Sequence, residues 1–153
     1  MDITQAVNEA VIATFSDMAF MDAEPIQTCS GCPPFGQIIG VEFLHPLEGH
    51  MILHLTTPIK QMVIENIHGV DWNDLARREV DDCLMELVNI MAGNFLLLVE
   101  SGQHRYALSL PQVWYDESDI MDCGTLDDYY FIVNDEAAKV SLTFSPAGAS
   151  SKG

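Results

Sequence analysis

The stretch that decides the fold is Asp82-Cys83-Leu84-Met85-Glu86-Leu87-Val88-Asn89-Ile90-Met91-Ala92-Gly93-Asn94. At about 100° of rotation per residue, four of these residues share one narrow face of a helix, here called the polar lane: Asp82, Glu86, Asn89 and Gly93. An ordinary surface helix has a broad charged face that carries lysine and arginine. A single polar lane on an otherwise apolar helix predicts that the helix packs into the core and keeps only the lane exposed, where it can reach another protein's active site.

The helix that carries the lane is predicted to be the longest in the chain. It should begin near Asn73 or Asp74, because both residues are good N-caps, and it should end near Ser101, with Gly102 as the stop. The phase of the pattern predicts that its large apolar side chains are mostly buried, namely Leu84, Leu87, Val88, Met91 and Phe95.

In the rest of the chain, segments with a helical pattern are followed by segments with a strand pattern. A helix is predicted over residues 3–21, and a shorter one is predicted with Thr57 as its cap, Pro58 at its first position and its end near Gly69. Strands are predicted over residues 37–44, 51–56, 105–110, 129–133 and 139–144. Both halves run helix then strands, which hints at a weak internal duplication. The predicted class is α+β, with a mostly antiparallel sheet and the two longer helices packed on one face.

Length and composition indicate one domain over residues 1–144, followed by a Ser-, Gly- and Ala-rich tail, residues 145–153, that is predicted to be disordered. The net charge of −17, with only 6 Lys and Arg, argues against nucleic acid and anionic membranes as partners, because binding to phosphates depends on basic side chains. No uncharged apolar run of about 20 residues is present, and the N-terminus lacks a basic signal-peptide region. We expect a cytoplasmic protein that does not span a membrane.

The four cysteines do not form an obvious framework. Cys29-Ser-Gly-Cys32 has the spacing of a metal clip or a redox pair, but a closed zinc site needs two further ligands, and no second cysteine pair exists. His45, His50 and His54 could assist in principle. We expect two ordinary loop thiols, with a disulfide or a metal as the alternatives, and we predict no metal site.

Gly93 allows two interpretations. Glycine inside a helix costs about 0.8–1 kcal/mol relative to alanine, so its presence on the lane needs a reason. It permits either close packing within the fold or the close approach of a partner's backbone to Asn89. A lone Glu-x-x-Asn, by itself, is most often part of a solvated helix face.

The combination of motifs is more specific. The spacing Asp82-x-x-x-Glu86-x-x-Asn89, continued by Gly93-Asn94 and by the strand end Ser109-Leu110-Pro111, resembles the CheC/CheX family of bacterial chemotaxis phosphatases. The family motif is Asp or Ser, three residues, Glu, two residues and Asn, with a proline further downstream. The single copy of the motif is similar to the CheX branch, because CheC-type members usually carry two copies and the N-terminal helix here has none.

The resemblance implies a phosphatase that removes the phosphoryl group from the aspartyl-phosphate of a CheY-type response-regulator receiver domain. Asn89 would orient the attacking water and Glu86 would pair with the receiver's lysine, while Asp82, Gly93 and Asn94 would contact the partner. The protein would need no cofactor of its own, because the receiver holds the divalent metal. The family also implies a homodimer.

Two other classes of function compete with this hypothesis. A non-catalytic receiver-binding or flagellar-switch module would share the fold, but the presence of both Glu86 and Asn89 favours catalysis. A small metal or redox protein built on Cys29 and Cys32 is the other alternative. A nucleophilic hydrolase is disfavoured, because the chain has no Gly-x-Ser-x-Gly elbow and no P-loop.

Overall fold

The computed structural model describes residues 2–32, 34–100, 105–114 and 126–146. Its helices are α1 (Ile3–Ala19), α2 (Thr57–His68) and α3 (Arg77–Val99). Its strands are β1 (Ala23–Ile26), β2 (Gln37–His45), β3 (Leu47–Leu55), β4 (Ala107–Leu108), β5 (Gln112–Trp114), β6 (Asp127–Val133) and β7 (Glu136–Pro146). The seven strands form one sheet in the order β1-β6-β7-β3-β2-β4, and β5 also pairs with β2. Every pairing is antiparallel.

The core lies between one face of this sheet and helices α1 and α3. The apolar side of α1 is buried at helical spacing, as Val7, Val11 and Phe15 show. Phe95 of α3 stacks on Phe43 of β2, with ring centroids 5.7 Å apart. Fully burying a large apolar side chain contributes about 1.5–3 kcal/mol, so this layer holds the helices in fixed positions. The predicted α+β class, with two longer helices on one face of an antiparallel sheet, is confirmed.

The strand order has the symmetry that an internal duplication would produce. Each half consists of a long helix, a short segment at a sheet edge and a hairpin. The short β1 of the first half pairs with β6 of the second, and β4 and β5 of the second half pair with β2 of the first. The two hairpins meet at the centre through β3 and β7. Helices α1 and α3 therefore occupy related positions on the same face.

The long helix starts later than predicted. Asn73 and Asp74 belong to a short 3-10 turn, Trp72–Asp74, that Asp71 caps by accepting from the Asn73 amide at 3.2 Å. α3 then begins at Arg77, where the Glu79 carboxylate accepts from the Ala76 amide at 3.1 Å. The predicted N-caps therefore serve a separate turn. The predicted C-terminal stop, residues 101 and 102, lies outside the described residues.

The strands differ from the prediction at the sheet edges and at the start of β3, which begins at Leu47 rather than at residue 51. β1 was not predicted, because Pro25 within it argues against a strand, yet proline is tolerated on an edge and β1 pairs only with β6. The predicted strand 105–110 is shortened to β4, and β5, which follows Pro111 and also pairs with β2, was not predicted. β7 continues to Pro146 opposite Leu47, two residues into the predicted tail. The rest of the tail and residues 115–125, which include Cys123, lie outside the described residues.

Within the described residues, α3 alone is long and apolar enough to cross a membrane by length and composition. Half of its apolar window is buried inside the structure. The core helix of a globular domain meets the same criteria, and α3 has that position here.

Candidate functional site

The polar lane lies on α3 as the sequence predicts. Asp82 and Glu86 are exposed and Asn89 is half-buried. The five apolar residues predicted to be buried are all 0% exposed: Leu84, Leu87, Val88, Met91 and Phe95. The phase of the helix is therefore confirmed, and the lane faces away from the sheet.

Glu86 and Asn89 are available for a partner. Within the described part of the chain, neither side chain makes a hydrogen bond to another residue. They lie three positions apart on one helix, so they are neighbours on its surface. The pair therefore offers a carboxylate as an acceptor beside a carboxamide that can both donate and accept.

The thiol next to the lane is not suited to nucleophilic chemistry. Burial, with a smaller contribution from the negative charge of Glu86, raises the pKa of Cys83 to about 11. A thiol is nucleophilic only as the thiolate, so Cys83 stays protonated and unreactive near neutral pH. The site therefore supplies polar contacts rather than a covalent nucleophile.

Gly93, which the sequence assigns to partner binding, is buried beneath the side chain of Tyr106. A Cβ at residue 93 would lie 2.6 Å from the Tyr106 hydroxyl oxygen and 3.0 Å from Cζ. The glycine therefore permits close packing within the fold, the first of the two interpretations above. Sequence reasoning did not identify Tyr106. The mid-helix glycine signalled a close approach, but the residue that makes it comes from a segment whose position is set by strand pairing.

The segment that carries Tyr106 is fixed to the edge of β2. Ala107 and Leu108 pair with β2, and the Ser109 amide donates to the Glu42 carbonyl oxygen at 2.9 Å. The Ser109 hydroxyl oxygen accepts from the Glu42 amide at 2.9 Å. Pro111 of the downstream motif separates β4 from β5 in this segment. The Ser109-Leu110-Pro111 turn thus holds the strand that covers the end of the lane.

Asn94, which the sequence assigns to partner binding, makes a hydrogen bond within the fold. Its amide nitrogen donates to the Thr14 hydroxyl oxygen of α1 at 3.2 Å. That hydroxyl in turn donates to the Ala10 carbonyl oxygen at 2.7 Å. Asn94 therefore ties α3 to α1 inside the fold.

Cys29 and Cys32 form a disulfide, which corrects the expectation of two free thiols. Their Cα atoms are 5.5 Å apart, a distance typical of disulfides, and Gly31 turns the chain between them with φ 69°. Across residues 2–32, 34–100, 105–114 and 126–146, no cluster of three or more His, Cys, Asp or Glu could hold a metal ion.

Comparison with known proteins assigns the family. Residues 38–133 match the family model of the chemotaxis phosphatase CheX. No curated protein matches the chain. The chemotaxis protein CheX from Vibrio vulnificus superposes with a TM-score of 0.74 at 17% identity, covering 95% of this chain and 97% of that chain. A chain of the CheX-CheY-BeF3-Mg²⁺ complex from Borrelia burgdorferi superposes with a TM-score of 0.69 at 15% identity, covering 94% of this chain and 97% of that one.

The fold extends beyond proteins named CheX. FliY from Thermotoga maritima superposes with a TM-score of 0.58 at 16% identity, covering 96% of this chain and 87% of that chain. At such identities the superpositions show the fold alone. The family model, by contrast, matches more than half of the sequence. The chain therefore belongs to the CheX family of chemotaxis phosphatases.

Proposed function

We propose that this protein hydrolyses the aspartyl-phosphate of a CheY-type receiver domain, with Asn89 orienting the attacking water. The observation that carries the proposal is the pair of exposed Glu86 and half-buried Asn89 on α3, in a chain of the CheX family. A related CheX is recorded in a complex with CheY, BeF3 and Mg²⁺, which supports a receiver as the partner.

The chemistry requires little from the phosphatase itself. Water attacks the phosphorus in line with the aspartyl oxygen, the P–O bond to that oxygen breaks, and the carboxylate leaves with the electron pair as inorganic phosphate forms. A receiver that holds its own divalent metal and lysine neutralises charge on the phosphoryl oxygens. What remains is to place the water. The Asn89 carboxamide oxygen accepts from that water, and most of the gain in rate is positional.

Glu86 has a separate role in this proposal. Its exposed carboxylate pairs with the receiver's lysine through a charge-assisted hydrogen bond and sets the register of docking. Asp82, one turn towards the N-terminus, provides a peripheral polar contact. Because Gly93 and Asn94 are occupied by contacts within the fold, they are left out of the proposed docking surface.

The test measures loss of aspartyl-phosphate from CheY-type receivers of the same cell, charged with acetyl phosphate. Asn89→Ala should reduce turnover by about 100-fold, the scale of a lost positioning contact, while binding to the BeF3-Mg²⁺ receiver stays nearly unchanged. Glu86→Ala and Glu86→Lys should weaken both turnover and binding. The matched controls are Asn8→Ala and Glu9→Ala on α1, which lacks the motif, and both should behave as wild type.

The same experiment distinguishes the non-catalytic alternative. Tight binding of the BeF3-Mg²⁺ receiver with no phosphatase activity would identify a receiver-binding module. Wild-type turnover in Asn89→Ala would show that Asn89 does not position the water.

We also propose that the protein has no cofactor of its own and acts in the cytoplasm. Turnover should require Mg²⁺ only because the receiver does, so the purified protein should contain no stoichiometric metal by elemental analysis. Zinc at one equivalent, lost on Cys29→Ser, would contradict this proposal.

A further inference from the structure

Tyr106 occupies the space that Gly93 leaves on the polar lane. Its hydroxyl and Cζ lie so close to Gly93 that no side chain at residue 93 fits without moving the ring. Gly93 is one turn of α3 beyond Asn89, and residues four apart are neighbours on a helix. The phenol therefore lies at the C-terminal end of the lane, one helical turn beyond Asn89.

The packing against Gly93 leaves much of the Tyr106 ring exposed. The residue is 44% exposed, although the glycine beneath it is buried. Leu97, one further turn along the same face of α3, is 46% exposed. The lane thus runs from two exposed carboxylates, through Asn89, to an exposed apolar end. The backbone pairing of residues 107–109 with β2 fixes the position from which Tyr106 extends.

We propose that Tyr106 is a positioning residue for the phosphatase site, an inference that rests on the function proposed above. Its ring forms a steric barrier, here called the wall, at one end of the lane. It keeps the Asn89 carboxamide from turning towards Gly93 and so holds it in position beside the reacting phosphoryl group. Gly93 serves the site indirectly, because its missing side chain lets the ring lie this close.

Three single variants test the proposal. Tyr106→Ala should lower kcat about tenfold, because the carboxamide is no longer confined and small misplacements are costly to rate, while KM changes by less than about threefold. Tyr106→Phe keeps the wall and should stay within about twofold of wild type on both constants. The control is Leu44→Ala on β2, a residue of nearly equal exposure, 45%, that the proposal does not place at the lane. It should leave both constants unchanged.

A double-variant cycle with Gly93 isolates the contact. Gly93→Ala alone should displace the ring and lower kcat by a similar, roughly tenfold factor. In the Tyr106→Ala background the new methyl group meets no ring, so Gly93→Ala should cause no further loss. Independent contributions would instead multiply, giving a loss of about 100-fold in the double variant.

The outcomes separate this inference from the proposed function. Wild-type kcat in Tyr106→Ala, or multiplicative losses in the cycle, would overturn the role of Tyr106 and leave the phosphatase intact. Loss of activity in Tyr106→Phe equal to that of Tyr106→Ala would also contradict the wall and indicate a role for the hydroxyl. A wild-type protein inactive on every receiver would refute the proposed function and this inference together.

Discussion

Gly93 and Asn94 are adjacent in sequence and have different neighbours. A rotation of about 100° per residue turns Gly93 to Tyr106 and Asn94 to Thr14 of α1. Asn89, four positions before Gly93, has no hydrogen-bond partner among the described residues. The two asparagines on α3 thus have opposite roles, since one joins helices and the other remains available to a receiver.

Asn94→Ala should therefore affect stability rather than activity. Losing a partly buried hydrogen bond costs about 1 kcal/mol, so the free energy of unfolding measured by urea titration should fall by about that amount. Turnover on a phosphorylated receiver, per folded molecule, should match wild type. A large loss of receiver binding with unchanged stability would return Asn94 to the docking surface.

At the scale of the elements, the sheet face opposite the helices carries a row of hydrogen-bonded side chains across three strands, here called the polar relay: His54, Ser141 and Asp128. His54 Nε2 of β3 lies 3.1 Å from the Ser141 hydroxyl oxygen of β7. That hydroxyl donates to Asp128 Oδ1 of β6 at 2.6 Å. Because the serine hydrogen goes to the carboxylate, the serine oxygen accepts from the imidazole. Burial, and to a smaller extent the charge of Lys139, lowers the pKa of His54 to about 4 against the opposing effect of Asp128.

The lowered pKa of His54 in this relay predicts that the protein loses stability at mildly acidic pH. The pKa of His54 is about 4 in the folded protein and about 6.5 when unfolded, so the unfolded chain binds an extra proton between these values. The stability that neutral His54 contributes is present above pH 6.5 and is lost as the pH falls towards 4, which lowers the free energy of unfolding by on the order of 3 kcal/mol. Urea unfolding of wild type and His54→Gln at pH 7 and pH 5 measures it. The wild type should lose more stability than the variant over this interval, and equal losses would contradict the prediction.

At the scale of the whole molecule, a charge of −17 and two sheet edges bear on assembly. The outer edges of β1 and of the β4–β5 segment have no strand partner among the described residues. Unpaired strand edges are templates for pairing with another chain. We propose that the protein forms a homodimer, although each copy carries the same large charge and mutual repulsion opposes the association.

Dimer formation should therefore increase with salt concentration, because salt screens the repulsion between the two negatively charged copies. Screening at about 0.15 M salt reduces the Debye length to about 8 Å, so the dimer should be more populated there than at low ionic strength. Light scattering coupled to size exclusion, on a chain of 16.9 kDa, distinguishes monomer from dimer. A protein that stays monomeric at high concentration and at both salt levels would refute the dimer.

The sequence alone determined the class of fold and the phase of α3. Both follow from local periodicity, because the spacing of apolar residues sets which helix face is buried. That is why Leu84 and Phe95 are buried while Glu86 is exposed, as predicted. The spacing of Asp82, Glu86 and Asn89 was sufficient to indicate the family, since it depends only on positions along one helix.

The tertiary structure alone decided which residues surround the lane. Tyr106 reaches Gly93 because β4 pairs with β2, and Asn94 reaches Thr14 because α1 packs beside α3. Both contacts join residues distant in sequence, so no local pattern specifies them. The edge strand β1 was missed for a related reason, because Pro25 disfavours a strand locally and only its place at the edge of the sheet makes it acceptable.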